Sequence, residues 1–351
     1  MGRVTTFRRL HGRRVVVLLA VSSVVVSLGV SGAAGSSIVG DRSAAASIVP
    51  SGASIAPAVR PTGRVLQGAL VAPGGTVRTY TLYVPRSLPR ARPVPLLVGL
   101  HGGLGSGPQF ERDSGFDALA EASRFIVVYP NGTPVRPSAA SRLVWNGGGC
   151  CSVAAQDQEN VDDVGFISTL ISKLEGRYDI DKARVYASGH SNGAILAERL
   201  ACEDSGQIVA IGVQAGALMV NSCPMSHPVS ALEIHGTADQ NIPIDGGMGS
   251  RSLTQDDFPP PVDALDTFAG HDGCGSVPVT TTDPSNSAVI FESWRTCMSG
   301  TSVEWAKVTG ANHAWMGHPA SQASQLLVGK PYFGFDSSAA IWSFLSAHSR
   351  H

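Results

Sequence analysis

Five residues, Gly189-His190-Ser191-Asn192-Gly193, stand between a short apolar run and a stretch of strong helix formers. A serine at the tip of a tight strand-to-helix turn presents its hydroxyl for attack on a carbonyl carbon. Ala183, Val185, Tyr186 and Ala187 supply the strand, being apolar and bounded by turn signals. Ala194 to Leu200 supply the helix. The serine's backbone must take an unfavourable conformation at such a turn. A Cβ two residues to either side would strike neighbouring chain, so both glycines have a steric reason to be there. The helix also points unpaired N–H groups at the place where negative charge would grow.

A serine hydroxyl is a weak nucleophile near neutral pH and needs a base, normally a histidine held in one tautomer by a carboxylate. In doubly wound hydrolases the chain order is serine, acid, histidine. After Ser191, the run Leu232-Glu233-Ile234-His235-Gly236-Thr237-Ala238-Asp239 reads as a strand entering a turn that ends in an acid. Asp239 is therefore the expected orienting carboxylate, with Asp245 as runner-up and a plain turn aspartate as the bland alternative. His313, in the loop after a strand ending at Val308, is the expected base, and His318 is the neighbouring alternative. His271, at a helix or its end, and His235, inside a strand, read as ordinary packed or solvent-facing histidines. An oxyanion formed by attack on an ester needs positioned N–H donors. The backbone amide of Asn192 is one candidate; Gly103, in the glycine-rich loop His101-Gly102-Gly103-Leu104-Gly105, is the other. Trp315 and His190 flank these groups and are candidate pocket-lining residues, with simple packing as the equal alternative.

The elements that must position these groups follow from apolar patterning. Val77 to Val84 is a β-rich run suited to a strand near a sheet edge, and Val94 to Leu100 and Phe125 to Tyr129 are buried strands. A helix is expected from about Phe110 to Ser123, and a second carries Ile167, Leu170, Ile171, Leu174 and Tyr178 on one face. Residues 130–160 read as a long irregular insertion. Apolar runs at Ile208 to Val213, Ala231 to Ile234, Val289 to Trp294 and Val303 to Val308 follow, then a closing helix started by Asp336 or Ser337. Strands alternating with helices predict an α/β fold, a mainly parallel sheet with helices on both faces and the site at the strands' carboxyl ends.

The composition, 43% hydrophobic and 15% charged, is that of a globular protein. Five arginines and no acid fall in residues 1–40, so the remainder carries −6 against −1 for the whole chain. A mildly acidic body excludes the basic face that nucleic acid or an anionic membrane would require. Those arginines lead into an apolar stretch, Val15 to Val30, and then Ser31-Gly32-Ala33-Ala34. This pattern predicts a cleaved signal peptide over residues 1–34 and a secreted protein with no stable membrane partner. An uncleaved N-terminal anchor and a twin-arginine route are the alternatives. An Ala/Ser/Pro-rich tether is expected over 35–62 and a catalytic domain over 63–351. All six cysteines, Cys150, Cys151, Cys202, Cys223, Cys274 and Cys297, lie beyond the leader. Six cysteines in an oxidising compartment allow 15 pairings, which sequence does not choose between. The working expectation is Cys202–Cys223, Cys274–Cys297 and a vicinal Cys150–Cys151. Metal binding is the competing reading, disfavoured because there is no Cys-x-x-Cys pair.

Taken together, the motifs resemble the polyhydroxybutyrate depolymerase-type esterases, a family that also holds feruloyl and acetylxylan esterases. The resemblance rests on Leu100-His101-Gly102-Gly103, Trp145-Asn146 with Cys150-Cys151, Val161-Asp162-Asp163-Val164-Gly165-Phe166, Gly189 to Gly193, His235 to Asp239 and His313-Ala314-Trp315. It implies an α/β-hydrolase fold and the triad Ser191, Asp239, His313, with no metal or organic cofactor. Met316 stands where the family often has proline, and Gly103 where it often has cysteine; both bear on the shape of the acyl pocket. The expected activity is hydrolysis of carboxylic esters, either hydroxyalkanoate oligomers or polyester, or feruloyl and acetyl esters on polysaccharide. With no second domain read after the closing helix, solid polyester has no priority among these substrates. Rival readings are a cell-envelope acyltransferase on the same fold and a catalytically silent binding protein.

Overall fold

The computed structural model describes residues 60–89, 92–151 and 161–350. The expected signal peptide lies outside the described residues, as does nearly all of the expected tether.

Among the described residues twelve strands run in chain order: β1 (Arg64–Val71), β2 (Val77–Val84), β3 (Val94–Leu100), β4 (Ile126–Pro130), β5 (Thr133–Pro134), β6 (Leu143–Val144), β7 (Ile180–His190), β8 (Ala210–Gln214), β9 (Ser230–Gly236), β10 (Val279–Asp283), β11 (Asn286–Trp294) and β12 (Val303–Val308). Among the described residues the α-helices are α1 (Gly107–Ser114), α2 (Phe116–Ser123), α3 (Asp163–Glu175), α4 (Asn192–Glu203), α5 (Pro261–His271), α6 (Gln322–Val328) and α7 (Ser337–Ser346). Ten strands form one sheet in the order β1-β2-β4-β3-β7-β8-β9-β12-β11-β10. The six from β4 to β12 are parallel to one another, and the pairs at each end are antiparallel. β3, β4, β8 and β9 are buried along their whole length, which is why they read as unbroken apolar runs rather than alternating ones.

Two cores cover the two faces. On one, Phe166 and Leu170 of α3, Leu196 and Leu200 of α4 and Phe268 of α5 pack on the sheet. On the other, Phe110, Phe116, Ile341 and Trp342 bring α1, α2 and α7 against it. Side-chain caps fix the starts of four helices: Ser106 accepts from the Gln109 amide, Asp162 from Gly165, Ser321 from Ser324 and Asp336 from Ala339.

The structure corrects the sequence reading at four places. The helix expected from Phe110 to Ser123 is two helices, broken at Gly115, which sits at φ +65° between them. β1 and β10 form the sheet's edges and carry no clean apolar alternation, since most of their residues are exposed. The insertion after β4 holds the small β5–β6 ribbon. The short helix α6 buries no residue and leaves no apolar face in the sequence. The cysteines pair as Cys150–Cys151, Cys202–Cys223 and Cys274–Cys297. No helix among the described residues is long and apolar enough to cross a membrane.

Candidate active site

β7 runs into α4 through Ser191, whose backbone sits at φ 57° and ψ −124°, a strained conformation for a residue with a side chain. The turn is too tight for side chains on either flank. A Cβ at Gly189 would lie 2.2 Å from the Gly193 carbonyl oxygen, and one at Gly193 would lie 2.3 Å from that of Leu100. Backbone atoms cannot yield as a side chain would, so these positions admit only glycine.

The turn aims the Ser191 hydroxyl at His313. His313 Nε2 lies 2.8 Å from Ser191 Oγ, and His313 Nδ1 lies 2.7 Å from Asp239 Oδ2. The other Asp239 oxygen accepts the amides of Asn241 and Ile242 at 2.8 and 3.0 Å. Burial pushes the Asp239 carboxyl up, but His313, His235 and the amide donors outweigh it and hold the group down at about 2. Asp239 is therefore charged across the ordinary pH range. Three residues widely separated in sequence thus meet as one hydrogen-bonded line. Asp245, the runner-up acid, is exposed one loop further on. His318 is held by Asp336 instead, at 3.3 Å, and His271 faces Asp272 and the Met225 carbonyl.

Sequence reasoning missed two supports of the histidine loop. Gln214, fully buried at the end of β8, donates to the Ala314 carbonyl and accepts from the Met316 amide. Its only mark in the sequence is an amide closing an apolar run. His190 donates from Nε2 to the His313 carbonyl at 2.6 Å. Burial, with the neighbouring His313, pulls His190 down to about 3, so the ring is neutral and keeps this donor. Trp315 is mostly packing: its ring meets Phe110 and Phe116 edge-on and its indole N–H reaches Ser338 Oγ. Both His190 and Trp315 also border the cleft.

Across the cleft, the glycine loop is tied to the serine turn through Trp145. The Trp145 indole donates to the His101 carbonyl at 2.9 Å. Asn192 clasps the Trp145 backbone from both sides, accepting its amide at 2.7 Å and donating to its carbonyl at 3.0 Å. His101 accepts the Gly132 amide on Nε2 and so donates from Nδ1 to the Gly102 carbonyl; burial lowers this ring to about 4 and keeps it neutral. Gly103 and Asn192 therefore stand side by side on two braced segments, a Cβ on Gly103 falling 3.6 Å from that of Asn192. The Asn192 amide belongs to the first turn of α4, whose N–H groups have no helical acceptor.

Ser191 and Gly103 lie on the border between two lobes of the cleft. The larger, of about 480 Å³, is lined by Gln109, Arg112, Asp113, His190, Trp315 and His318. The smaller, of about 90 Å³, lies against His313, Val144, Cys151, Ile195 and Phe258. Among the described residues the one grouping of possible metal ligands is Cys150, Cys151 and Asp256. Its two sulfurs are bonded to each other and offer no thiolate.

Comparison with known proteins identifies the fold and the family. An acetyl xylan esterase from Aspergillus awamori superimposes with a TM-score of 0.52 at 17% identity, covering 71% of this chain and 94% of that one. A dienelactone hydrolase-like phosphotriesterase from metagenomic libraries superimposes at 0.51 and 14%, covering 82% of this chain and all of that one. The fold is that of the α/β-hydrolases. By sequence, a bifunctional acetylxylan esterase/xylanase of Neocallimastix patriciarum is 25% identical over 68% of this chain and 31% of its own length. Feruloyl esterase C of Emericella nidulans is 28% identical over 56% of this chain and 63% of its own length. The chain thus spans between about a third and two thirds of these relatives. Residues 78–254, half of the chain, match the sequence profile described as esterase PHB depolymerase, and that stretch carries the glycine loop, the serine turn and Asp239. With the serine turn and the strands around it in that order, the chain belongs to the PHB depolymerase esterase family.

Proposed function

We propose that this protein is a serine esterase that cleaves carboxylic esters through an acyl-enzyme intermediate. The observation that carries the reading is His313, whose two ring nitrogens reach Ser191 and Asp239 at 2.8 and 2.7 Å. In this mechanism Ser191 Oγ attacks the ester carbonyl as His313 Nε2 takes its proton. Asp239 holds the ring in the tautomer that leaves Nε2 free to accept, and stabilises the imidazolium that forms. The backbone amides of Asn192 and Gly103 bind the oxyanion, each worth roughly 3 kcal/mol in the transition state. His313 then protonates the departing alcohol. A water molecule, activated by the same ring, releases the acid and restores Ser191.

The two lobes meeting at Ser191 separate the acyl group from the alcohol. Feruloyl or acetyl esters on polysaccharide and hydroxyalkanoate oligomers are the substrate classes proposed, on the strength of the relatives' names and the family. Three disulfides suit an exported protein working in an oxidising compartment.

The test is the purified protein assayed on p-nitrophenyl esters, methyl ferulate, acetylated xylan and hydroxybutyrate oligomers, with and without a sugar acceptor. Release of free acid from at least one class, with a pre-steady-state burst of p-nitrophenol, is the expected result. Turnover of none, or acyl transfer to the sugar with no free acid, would overturn it.

The brace between the two proposed oxyanion donors gives a second check. Trp145→Phe keeps the ring but removes the indole N–H that holds His101. It is expected to lower kcat about tenfold, the value of one positioning hydrogen bond, with KM within about twofold.

A further inference from the structure

Behind Asp239, three buried titratable groups remain that the mechanism does not use. His235 of β9 is fully buried. Its Nε2 lies 2.9 Å from the Ile242 carbonyl; a carbonyl can only accept, so Nε2 carries a proton. Its Nδ1 lies 2.8 Å from Glu233 Oε1, and the same oxygen accepts the Gly216 amide at 3.1 Å. Burial raises the Glu233 carboxyl, while the hydrogen bond and charge of His235 and the Gly216 amide pull it the other way. With Glu233 ionised, the second ring proton sits on Nδ1. Burial opposes a charge on His235, but Glu233 and Asp239 outweigh it and raise the group above the ordinary histidine range. The Nε2 edge of this ring stands 3.6 Å from Asp239 Oδ2, the oxygen that receives His313.

Glu198, from α4, closes the series. It is buried, and its Oε2, like Glu233 Oε2, has no hydrogen-bond partner among the described residues. Two sealed carboxyls that feel each other do not both ionise. Burial and the charge of Glu233 push Glu198 well up, making it the neutral member. The groups facing His235 are thus Glu233 on its own strand and Asp239 on the following loop, with Glu198 beyond Glu233 and His313 beyond Asp239.

We propose that Glu233 and His235 form a buried ion pair acting as a second tier behind the triad, setting a fixed positive charge against Asp239, with Glu198 as a neutral backstop. His235 is a positioning residue and touches no reacting atom. Its charge helps keep Asp239 ionised and offsets part of the negative field that His313 sees. His313 accepts the serine proton only as the neutral ring, and a positive charge at His235 weakens the pull of Asp239 on that proton. The second tier therefore extends activity toward lower pH. The proposal rests on the triad reading given above.

The experiment is the pH profile of kcat/KM for p-nitrophenyl acetate in the wild-type protein and two isosteric variants. Glu233→Gln removes the counter-charge that keeps His235 protonated. With the ring neutral, its positive charge beside Asp239 is lost and the acid limb is expected to move up by about one pH unit, a tenfold loss of rate on that limb. Glu198→Gln replaces a group already neutral and is expected to leave the profile in place. Superimposable profiles for wild type and Glu233→Gln, or an equal shift in Glu198→Gln, would overturn the proposal. An arm that needs no activity is the imidazole ¹⁵N spectrum of the intact wild-type protein at pH 7. Both His235 nitrogens are expected to be protonated, and a neutral ring would sink the ion pair. Failure of the esterase reading would show instead as the absence of Ser191-dependent turnover, with the spectrum unaffected.

Discussion

Ser191→Ala is expected to lower kcat for p-nitrophenyl acetate by about 10⁴-fold or more, with KM and the thermal midpoint close to wild type. The magnitude is what removal of the nucleophile costs when a triad acts as a unit. The side chain is small and only partly buried, so its loss opens no cavity. The strained φ of 57° stays in place, because the flanking backbone contacts of Gly189 and Gly193 impose it. His313→Ala should cost a similar factor, and the double variant little more than either, because base and nucleophile serve one step. If both single variants kept more than a tenth of wild-type turnover, the line from Ser191 to Asp239 would have no catalytic meaning. A fluorophosphonate probe supplies an independent reading: it should label the wild type at Ser191 and leave Ser191→Ala unmodified.

The second large effect falls on stability. Arg78 and Asp163 form an ion pair at 2.7 Å with side chains 4% and 0% exposed. Arg78 also donates to the Asn131 carbonyl, and Asp163 accepts the Asn146 amide on its other oxygen. The guanidinium carbon lies over the Phe166 ring, 4.2 Å from its centre. Removing one partner leaves an uncompensated charge in the interior, so Arg78→Met or Asp163→Asn should each destabilise by about 3–5 kcal/mol. In a domain of this size that corresponds to a fall in Tm of roughly 10 °C. The double variant Arg78→Met with Asp163→Leu should recover much of the loss, since no lone charge is left to be held in the interior without its hydration. Calorimetry on the four proteins decides it; single variants melting within 2 °C of wild type would show that the pair contributes little. Activity should fall with the loops it holds, because Asn146 adjoins the Trp145 brace.

Arg78 also illustrates where the sequence stops informing. In the linear sequence it is only the residue that breaks the β-rich run from Val77 to Val84. Its partner lies 85 residues away on α3, and nothing local records that pairing. Gln214 is similar: an amide at the end of β8 becomes the clamp of a loop about 100 residues further on. His235 was rightly placed inside a strand, yet its position between Glu233 and Asp239 depends on the turn after β9 folding back so that Ile242 meets the ring.

What the sequence determined alone is what short-range sterics and patterning encode. The serine turn was legible because only glycine tolerates backbone at 2.2–2.3 Å, and that requirement is written in adjacent residues. The central strands were legible because burial on both faces demands unbroken apolar runs, and the order of serine, acid and histidine followed from successive strand ends. Tertiary structure decided the rest. It broke the helix at Gly115, placed β1 and β10 on the sheet's edges, brought Asp239 and His313, rather than Asp245 and His318, into line with Ser191, and gathered Glu233, His235 and Glu198 behind Asp239. Each of these depends on which distant segments come within a few ångströms once the sheet has taken its strand order, because hydrogen bonds and charge pairs of that kind form between faces of the fold rather than along the chain.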